Sequence, residues 1–393
     1  MLQAAEFQQE LDNILRYWAT QVPDPKHGGF YGQLNNDNEP NPLAPKGSVL
    51  NARILWTFAA AYGHSHDPAH LAVARRAYDY LAAHFLDPEH GGVYWTVDYL
   101  GQPLDTKKQL YALAFSLYGL AEYYRASGEA AALSHAQALF RTIEARSFDA
   151  QRGGYFEAFA RDWQPLADLR LSAKDANAQK TMNTHLHILE AYTTLYQVWP
   201  DPALRQQLKA LLLDFATRFL DPHTQHLTLF FDENWRPQPD ALSFGHDVEA
   251  AWLLLEAAEA LGEPALLSHF RQVAVRLARA AAEGLAPDGS LRYELALGGH
   301  CDADRHWWVQ AEAVVGFYNA YQVSGDSQLR DLSEGAWRFI QQHLLDQARG
   351  EWYWGVRPDY SVMPGQDKAG LWKCPYHNGR ACLEMLRRLA AGH

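Results

Sequence analysis

Six groups of polar and aromatic residues interrupt segments of this sequence that are otherwise apolar. Aromatic faces beside hydrogen-bonding side chains suit a neutral, hydroxyl-rich ligand, which describes a sugar. Histidines outnumber carboxylates in these groups, and histidine both donates and accepts a proton near neutral pH, so reversible proton transfer on a sugar is favoured. The groups are Asn51 and Arg53; Tyr111; Asn183, His185 and His187; His246 and Glu249; His306, Trp307, Trp308 and Glu312; and Trp372, Tyr376, His377 and Arg380.

Each of these residues also has a purely structural interpretation. A single histidine is more often structural than catalytic, and tryptophans commonly fill cores. Glu249 lies three residues after His246 on the same predicted helix face, so we expect Glu249 to orient the His246 ring. His185 and His187 point about 200° apart on a helix with no further ligand nearby, so no metal site is expected. Arg53 is harder to explain structurally, because an unpaired buried guanidinium is costly.

Paired carboxylates would indicate a different reaction. An inverting glycosidase needs two carboxylates roughly 6.5 to 9.5 Å apart, one as acid and one as base. Asp175, Glu249 and Glu312 are candidates for such a pair. Hydrolysis therefore stays open as an alternative to proton transfer.

Six copies of one repeat must position these groups. The signature is an Asp, a Gly-Gly pair and an aromatic residue, which are turn and strand signals, so each copy predicts a small β-hairpin. A proline 16 residues after the Asp recurs in the first four copies. The copies are Asp24 to Tyr31, Asp87 to Tyr94 and Asp149 to Phe156, with weaker ones from Asp221, Asp288 and Asp346, and the prolines are Pro40, Pro103, Pro165 and Pro237.

Two kinds of helix flank each hairpin. The helix before it is amphipathic, as in Leu204 to Phe219, where apolar residues keep a 3.6-residue period. The segment after it is apolar on nearly all sides, as in residues 246–261 and 311–321, which predicts a buried helix. Six outer and six inner helices predict an all-α fold, an (α/α)6 barrel in one domain over residues 1–393, with the hairpins and a pocket at one end. An open solenoid is the structural alternative.

Composition excludes several functional classes. The 34 Lys and Arg against 46 Asp and Glu give a net charge of −12 with no basic run, so nucleic acid is not an expected partner. No apolar stretch approaches the ~20 residues that cross a bilayer, so we expect no membrane partner. No signal peptide is recognisable, so we expect a cytoplasmic protein. We also expect a monomer. The three cysteines, Cys301, Cys374 and Cys382, lack the spacing of a disulfide framework or zinc cage.

Six motifs spread over essentially the whole chain carry a family resemblance. They are Leu50 to Trp56, Leu171 to Ala176, Met182 to His187, Ser243 to Asp247, Asp304 to Trp308 and Pro375 to Arg380. With these motifs the sequence resembles the cellobiose 2-epimerases, within the wider N-acylglucosamine 2-epimerase superfamily. The resemblance implies an (α/α)6 barrel that epimerises C2 of the reducing-end sugar in β-1,4-linked disaccharides without a cofactor, converting cellobiose to glucosylmannose and lactose to epilactose.

The same resemblance implies roles for individual residues. His246 and His377 would be the general acid and base, and His187 a third essential histidine near the reacting carbon. The sugar site would be lined by Arg53, Tyr111, Asp175, Asn183, Glu249, Trp308 and Trp372. A monosaccharide 2-epimerase or aldose-ketose isomerase of the same superfamily is the nearest alternative, followed by an (α/α)6 glycoside hydrolase and a sugar-binding protein.

The chemistry of C2 epimerisation sets clear requirements. The C2 proton can be removed only when C1 is an aldehyde, so the sugar ring must open first. Proton removal gives a cis-enediolate whose charge on O1 needs donors, for which Arg53 and a histidine are suited. Reprotonation on the other face inverts C2, which two histidines on opposite sides or a single base with rotation about C2–C3 would achieve. Return of the proton to C1 gives the ketose, so slow isomerisation is an expected side activity.

Overall fold

The computed structural model describes residues 2–238, 241–296 and 298–391. Within these ranges, inner helices alternate with outer helices along the chain. The inner helices are α2 (Ser48–Ser65), α4 (Leu110–Ser127), α6 (Met182–Val198), α8 (Phe244–Leu261), α10 (Trp307–Ser324) and α12 (Tyr376–Ala391). The outer helices are α1 (Ala4–Thr20), α3 (Pro68–Tyr80), α5 (Ala130–Arg146), α7 (Pro202–Asp214), α9 (Pro264–Ala281) and α11 (Ser327–Phe339).

The helices form a closed double ring. Each inner helix packs against its two inner neighbours, and α12 packs against α2 to complete the inner ring. Inner helices α2 to α10 each pack against the outer helix that follows them in the chain, and α12 packs against the first outer helix, α1, at the other end of the chain. The predicted (α/α)6 barrel is therefore confirmed, and the open solenoid is excluded.

Burial separates the two kinds of helix as their sequences predict. Every residue of α4 from Leu110 to Tyr123 is buried, whereas α7 buries only Leu204, Leu208, Leu211 and Leu212, which share one face. The outer helices α3 and α7 begin with an Asp-Pro pair whose aspartate accepts hydrogen bonds from the first-turn N–H groups. Among the described residues, no helix combines the length and apolarity needed to span a membrane.

Short antiparallel strands link each repeat to the next. A strand that leads into an inner helix pairs with the hairpin of the following repeat, in the orders β1-β2-β3, β4-β5, β6-β7-β8, β11-β10-β9 and β12-β13. A backbone bridge between Leu34 and Ala369 joins the first hairpin to the segment before α12, so the strand layer also closes. The strands are β1 (Lys46–Gly47), β2 (Thr96–Val97), β3 (Pro103–Asp105), β4 (Lys108–Gln109), β5 (Ala158–Phe159), β6 (Lys180–Thr181), β7 (Phe230–Phe231), β8 (Pro237–Gln238), β9 (Ala241–Ser243), β10 (Glu294–Ala296), β11 (Cys301–Asp302), β12 (Arg305–His306) and β13 (Gly355–Val356).

The recurring prolines begin the returning arm of each hairpin. Pro103 and Pro237 are the first residues of β3 and β8, and Pro40 and Pro165 form backbone bridges with Leu34 and Phe159. A proline fits the edge of a sheet because its missing N–H removes no ladder hydrogen bond there. The 16-residue spacing therefore reflects a fixed hairpin length.

Buried ion pairs tie four of the hairpin turns to the chain ahead of an inner helix, and the sequence analysis missed them. In the first three repeats the lysine lies two residues before an inner helix, so the pair joins the turn to the helix start. The aspartate Oδ1 of each turn also accepts backbone N–H groups two and three residues further on. The pairs are Asp24–Lys46, Asp87–Lys108 and Asp149–Lys180 at 2.8 Å and Asp346–Lys368 at 2.6 Å.

Candidate active site

A cavity of about 400 Å³ is lined by residues near the starts of all six inner helices. The segment 169–178 and the strands β9 and β10 contribute to its rim. All ten residues that the sequence analysis assigned to the site line this cavity: Arg53, Tyr111, Asp175, Asn183, His187, His246, Glu249, Trp308, Trp372 and His377. Their individual roles stay predictions.

Not every polar residue at an inner-helix start reaches the cavity. Asn51 instead donates to the Gly47 carbonyl at 2.8 Å, within the first turn of α2. His185 contacts the Thr181 carbonyl through Nδ1 at 2.7 Å and accepts the Tyr155 N–H through Nε2 at 2.9 Å, so it is a structural histidine. His306 and Trp307 do line the cavity, as does Trp354 from the last hairpin.

His377 is oriented by a carboxylate. Its Nδ1 lies 2.7 Å from Glu312 Oε1, and Glu312 also accepts the Trp252 indole N–H at 3.0 Å through Oε2. A carboxylate accepts the Nδ1 hydrogen, which leaves Nε2 of the neutral ring as the basic nitrogen. Burial lowers the pKa of His377 well below its usual value, and the Arg53 and Arg380 charges act in the same direction. The ring is therefore neutral at neutral pH and can accept a proton.

His187 has the same arrangement with a different glutamate. Its Nδ1 lies 2.9 Å from Glu190 Oε2, and burial lowers the pKa of His187. Burial alone would raise the pKa of Glu190, but the Arg380 guanidinium and His187 lower it to about 2, so Glu190 is ionised. Glu190 was not among the predicted residues, although a charged residue three positions after a histidine on an apolar helix is a detectable signal.

His246 differs from the other two histidines. Its Nδ1 lies 2.8 Å from the Ser243 hydroxyl, and burial lowers the pKa of His246 to about 3. The expectation that Glu249 holds the His246 ring is wrong, because Glu249 turns to Arg380 instead. Trp308 packs against both His246 and His377, with ring centroids 4.8 Å and 5.6 Å apart, so the two predicted acid/base residues share one aromatic neighbour.

A buried charge cluster supports the floor of the cavity. Arg380 Nη2 donates to Glu249 and Glu312 at 2.7 Å each, and Nη1 donates to Glu190. Burial and the neighbouring Glu312 raise the pKa of Glu249 to about 8, and its Oε2 has no hydrogen-bond partner among the described residues. Glu249, Glu312 and His377 are close enough to hold a cation, and Arg380 supplies the positive charge there.

Arg53 lies among aromatic rings. Its Nη2 donates to the Tyr111 hydroxyl at 2.6 Å, and its Nη1 contacts the Trp372 carbonyl at 3.4 Å. The guanidinium carbon lies 4.1 Å from the Phe115 ring centroid and 4.8 Å from that of Tyr376. Arg53 forms no ion pair with a carboxylate in the described ranges, and cation–π contacts surround its charge instead. The charge therefore remains available to an anionic group in the cavity.

The rim brings two separate segments together. Asp175 and Lys174 lie on the segment 169–178, and Lys174 Nζ contacts the Tyr293 ring, 5.6 Å from its centroid. Tyr293 stacks on His306 with centroids 4.0 Å apart. Sequence reasoning missed Lys174 and Tyr293 as lining residues because neither interrupts an apolar helix.

Glu157 also lines the cavity and was missed. Its carboxylate accepts the Thr181 and Thr184 hydroxyls at 2.8 Å and 2.7 Å, and burial raises the pKa of Glu157 to about 7. These bonds fix the start of α6, which carries Asn183 and His187. Glu157 follows the third hairpin turn, where the sequence pattern predicts only strand.

Nearly the whole chain is similar in sequence and fold to known proteins. The family model for N-acylglucosamine 2-epimerase matches residues 28–381. A cellobiose 2-epimerase from Bacteroides fragilis is 51% identical over 383 residues, covering 97% of this chain and 98% of that protein. A solved sugar epimerase from a ruminal bacterium has a TM-score of 0.94 at 38% identity, covering 98% of this chain and 99% of that one. The solved cellobiose 2-epimerase of Spirochaeta thermophila has a TM-score of 0.91 at 44% identity, covering 99% of this chain and 96% of that one.

Proposed function

Because the chain belongs to the N-acylglucosamine 2-epimerase family, we propose that it epimerises C2 of the reducing-end sugar in β-1,4-linked disaccharides. Cellobiose and lactose are the substrates we expect, giving glucosylmannose and epilactose. The observation that carries the proposal is the convergence of three histidines on one cavity. Each is held through Nδ1, and within the described part of the chain none forms a hydrogen bond through Nε2, which can therefore face a ligand.

The cavity suits a disaccharide in size and lining. Its volume of about 400 Å³ lies within the usual range for small-ligand sites. Trp308 and Trp372 offer apolar faces to sugar rings, and Asn183 and Asp175 offer hydrogen-bonding groups. The reacting sugar belongs at the histidines, which leaves the rim around Lys174 and Tyr293 for the second sugar.

Ring opening is the first step of the reaction. The hydrogen on O1 must leave while O5 gains one, so the site needs a group that takes and returns a proton. His187 is suited because Glu190 fixes its Nδ1 hydrogen and stabilises the imidazolium that forms. The step yields the open-chain aldehyde, whose C2 proton is acidic.

Proton transfer at C2 is the second step. His377 Nε2 takes the C2 proton, Glu312 stabilises the resulting imidazolium, and the C–H electron pair moves into the cis-enediolate. Arg53 donates to the charge that develops on O1. His246 enters this step as the imidazolium, with a proton taken from solvent, and the negative charge of the enediolate favours this form against the burial that lowers the pKa of His246. It delivers that proton to the opposite face of C2, which gives the epimeric aldehyde, and the ring closes. His377 returns its proton to solvent before the next turnover. In the reverse reaction the two histidines exchange roles.

Isotope exchange tests the proposed function directly. Incubation with cellobiose in heavy water, followed by NMR, is expected to give a mannose-containing reducing end with deuterium at C2. Free glucose would indicate a hydrolase, and binding without turnover would indicate a sugar-binding protein. Turnover of glucose or mannose in preference to cellobiose would favour the monosaccharide alternative.

Substitution of the histidines tests the assignment of roles. His377→Asn and His246→Asn are each expected to lower kcat by about 10²- to 10⁴-fold, because a positioned acid or base contributes about that much. His223→Asn, at an exposed turn, is the control and should keep full activity. If either cavity variant kept its rate within a few-fold of wild type, that assignment would be wrong.

Aldose-ketose isomerisation, the monomeric state and the cytoplasmic location stay predictions.

A further inference from the structure

The sixth repeat breaks the Gly-Gly pattern at one position. The second glycine of the first three repeats has a positive φ, +58° at Gly29, +73° at Gly92 and +76° at Gly154. The equivalent residue of the sixth repeat is Glu351, with φ at +64°. Its carbonyl accepts the Asp346 N–H, as the Gly29 carbonyl accepts the Asp24 N–H, so the turn itself is unchanged. A residue with a side chain rarely adopts this backbone conformation, and where it does a function is worth seeking.

The Glu351 carboxylate joins three parts of the chain. Its Oε1 accepts Lys373 Nζ at 2.7 Å, Asn378 Nδ2 at 2.7 Å and the Trp352 N–H at 2.8 Å. Its Oε2 accepts the indole N–H of Trp18 on α1. The Glu351 and Lys373 side chains are both fully buried, so solvent does not screen this contact. The carboxylate therefore connects α1, the segment before α12, and α12 itself.

An insertion explains why the sixth repeat needs this contact. In the first three repeats the buried lysine lies two residues before the inner helix, but Lys368 lies eight residues before α12. The six extra residues, 369–374, bring Trp372 to the cavity. The Asp346–Lys368 pair is consequently too far from α12 to fix its start. A second buried pair, Glu351–Lys373, lies next to the start of α12 instead.

We propose that Glu351 is a positioning residue for the epimerisation. It acts through Lys373 on the adjacent Trp372 and through Asn378 on the adjacent His377, which places both side chains in the cavity. The strained backbone at position 351 is kept because only a side chain there reaches these donors. The inference rests on the proposed function, since it assumes that His377 moves the C2 proton.

Two double variants separate positioning from general stability. Glu351→Gly with Lys373→Met restores the glycine of the repeat and leaves no unpaired buried charge, but it removes the acceptor of Asn378. Glu351→Gln with Lys373→Met makes the same change at 373 and keeps an acceptor oxygen. We expect the glycine variant to lose about 10- to 100-fold in kcat for cellobiose, and the glutamine variant to recover most of that loss.

Glu10 provides a matched control, because it lies at the same contact between α1 and the sixth repeat. Glu10 on α1 is a buried carboxylate that accepts the Trp352 indole N–H at 2.7 Å but makes no hydrogen bond to α12 among the described residues. Glu10→Gln should therefore leave kcat within two-fold of wild type. Equal kcat values for the two double variants, both folded by circular dichroism, would overturn the proposal.

A second readout does not depend on turnover. The ¹⁵N and ¹H resonances of the His377 ring report its bond to Glu312, and we expect them to shift in the glycine variant and to stay near wild type in the glutamine variant. Unchanged His377 resonances in both would also overturn the proposal. If wild type failed to epimerise cellobiose while these shifts occurred, the proposed function would fail and the structural role of Glu351 would stand.

Discussion

The partner at Nδ1 distinguishes the three histidines of the cavity. His187 and His377 each contact a glutamate, whereas His246 contacts the Ser243 hydroxyl. A carboxylate fixes the tautomer and stabilises an imidazolium, but a hydroxyl accepts or donates and leaves either tautomer available. His187 and His377 are therefore built to take up a proton, and His246 is the more adaptable of the three.

The ionisation of Glu249 gives a prediction for the pH profile. Burial and Glu312 raise the pKa of Glu249 to about 8, so this acid is neutral below pH 8 and becomes a second negative charge beside Glu312 above it. That added charge would compete with Glu312 for Arg380, so kcat/KM for cellobiose should fall above about pH 8. Glu249→Gln mimics the neutral acid at every pH and should abolish this decline.

The measurement is kcat/KM for both proteins from about pH 6 to about pH 10. In wild type, kcat/KM should fall on the alkaline side of the profile, and in the Glu249→Gln variant it should not. The variant should be active near pH 7. The same alkaline limb in both proteins would show that another group causes it and would contradict the assignment to Glu249.

The sequence predicted which residues line the cavity better than it predicted the residues that they bond. Arg53, His187 and His377 were recognisable because burial of a polar side chain in an apolar helix is costly unless the side chain has a role. This pattern can be seen within a single segment of the sequence. Their contacts depend on distant positions: Glu249 bonds Arg380, 131 residues away, instead of the neighbouring His246. Such a pairing is set by how six helices converge, and no helical period within one segment predicts it.

At the scale of elements, the same limit applies to the buried ion pairs. The Asp and Gly-Gly pattern predicted the turns of the first three repeats because turn chemistry is local. The lysine partner lies 22 residues after Asp24 but 31 residues after Asp149, so no fixed spacing reveals it. What the pairs share is position in the fold, since the lysines lie next to the starts of α2, α4 and α6.

Removing the charge of one turn aspartate should destabilise the barrel. Asp149→Asn keeps an oxygen for the turn's backbone N–H groups but leaves the buried Lys180 without its counter-ion, which costs about 3 to 5 kcal/mol of unfolding free energy. Lys180→Met in addition should recover much of the loss, because it removes the unpaired charge. Urea unfolding at neutral pH measures both effects.

The matched control is an exposed ion pair. Arg75 and Asp79 lie on α3 with side chains 55% and 57% exposed, and Asp79→Asn should leave the urea midpoint unchanged because solvent screens this pair. A small effect of Asp149→Asn, equal to that of Asp79→Asn, would show that the buried pair contributes no more than a surface pair.

At the scale of the whole molecule, the ring is closed by the two ends of the chain. The first helix, α1, packs on the last, α12, and α12 packs on α2. The indole of Trp18 on α1 also donates to Glu351 beside α12. An open array of repeats needs contacts only between neighbours, whereas here the last repeat is held by the first. We therefore propose that residues 1–393 form one domain that unfolds as a unit.

Unfolding of a variant at one end of the chain tests this proposal. Phe7 on α1 is fully buried and packs on Trp337 with ring centroids 4.2 Å apart, so Phe7→Ala should cost about 3 to 5 kcal/mol. If the chain is one cooperative domain, this loss lowers the unfolding midpoint by the same amount whichever probe reports it. The probes are tryptophan fluorescence, far-ultraviolet circular dichroism and residual epimerase activity. In separable units, only the part of the signal from the chain termini would move. Two resolved transitions, with one unaffected by Phe7→Ala, would therefore contradict the single domain, because destabilising α1 must destabilise α12 and through it the inner ring.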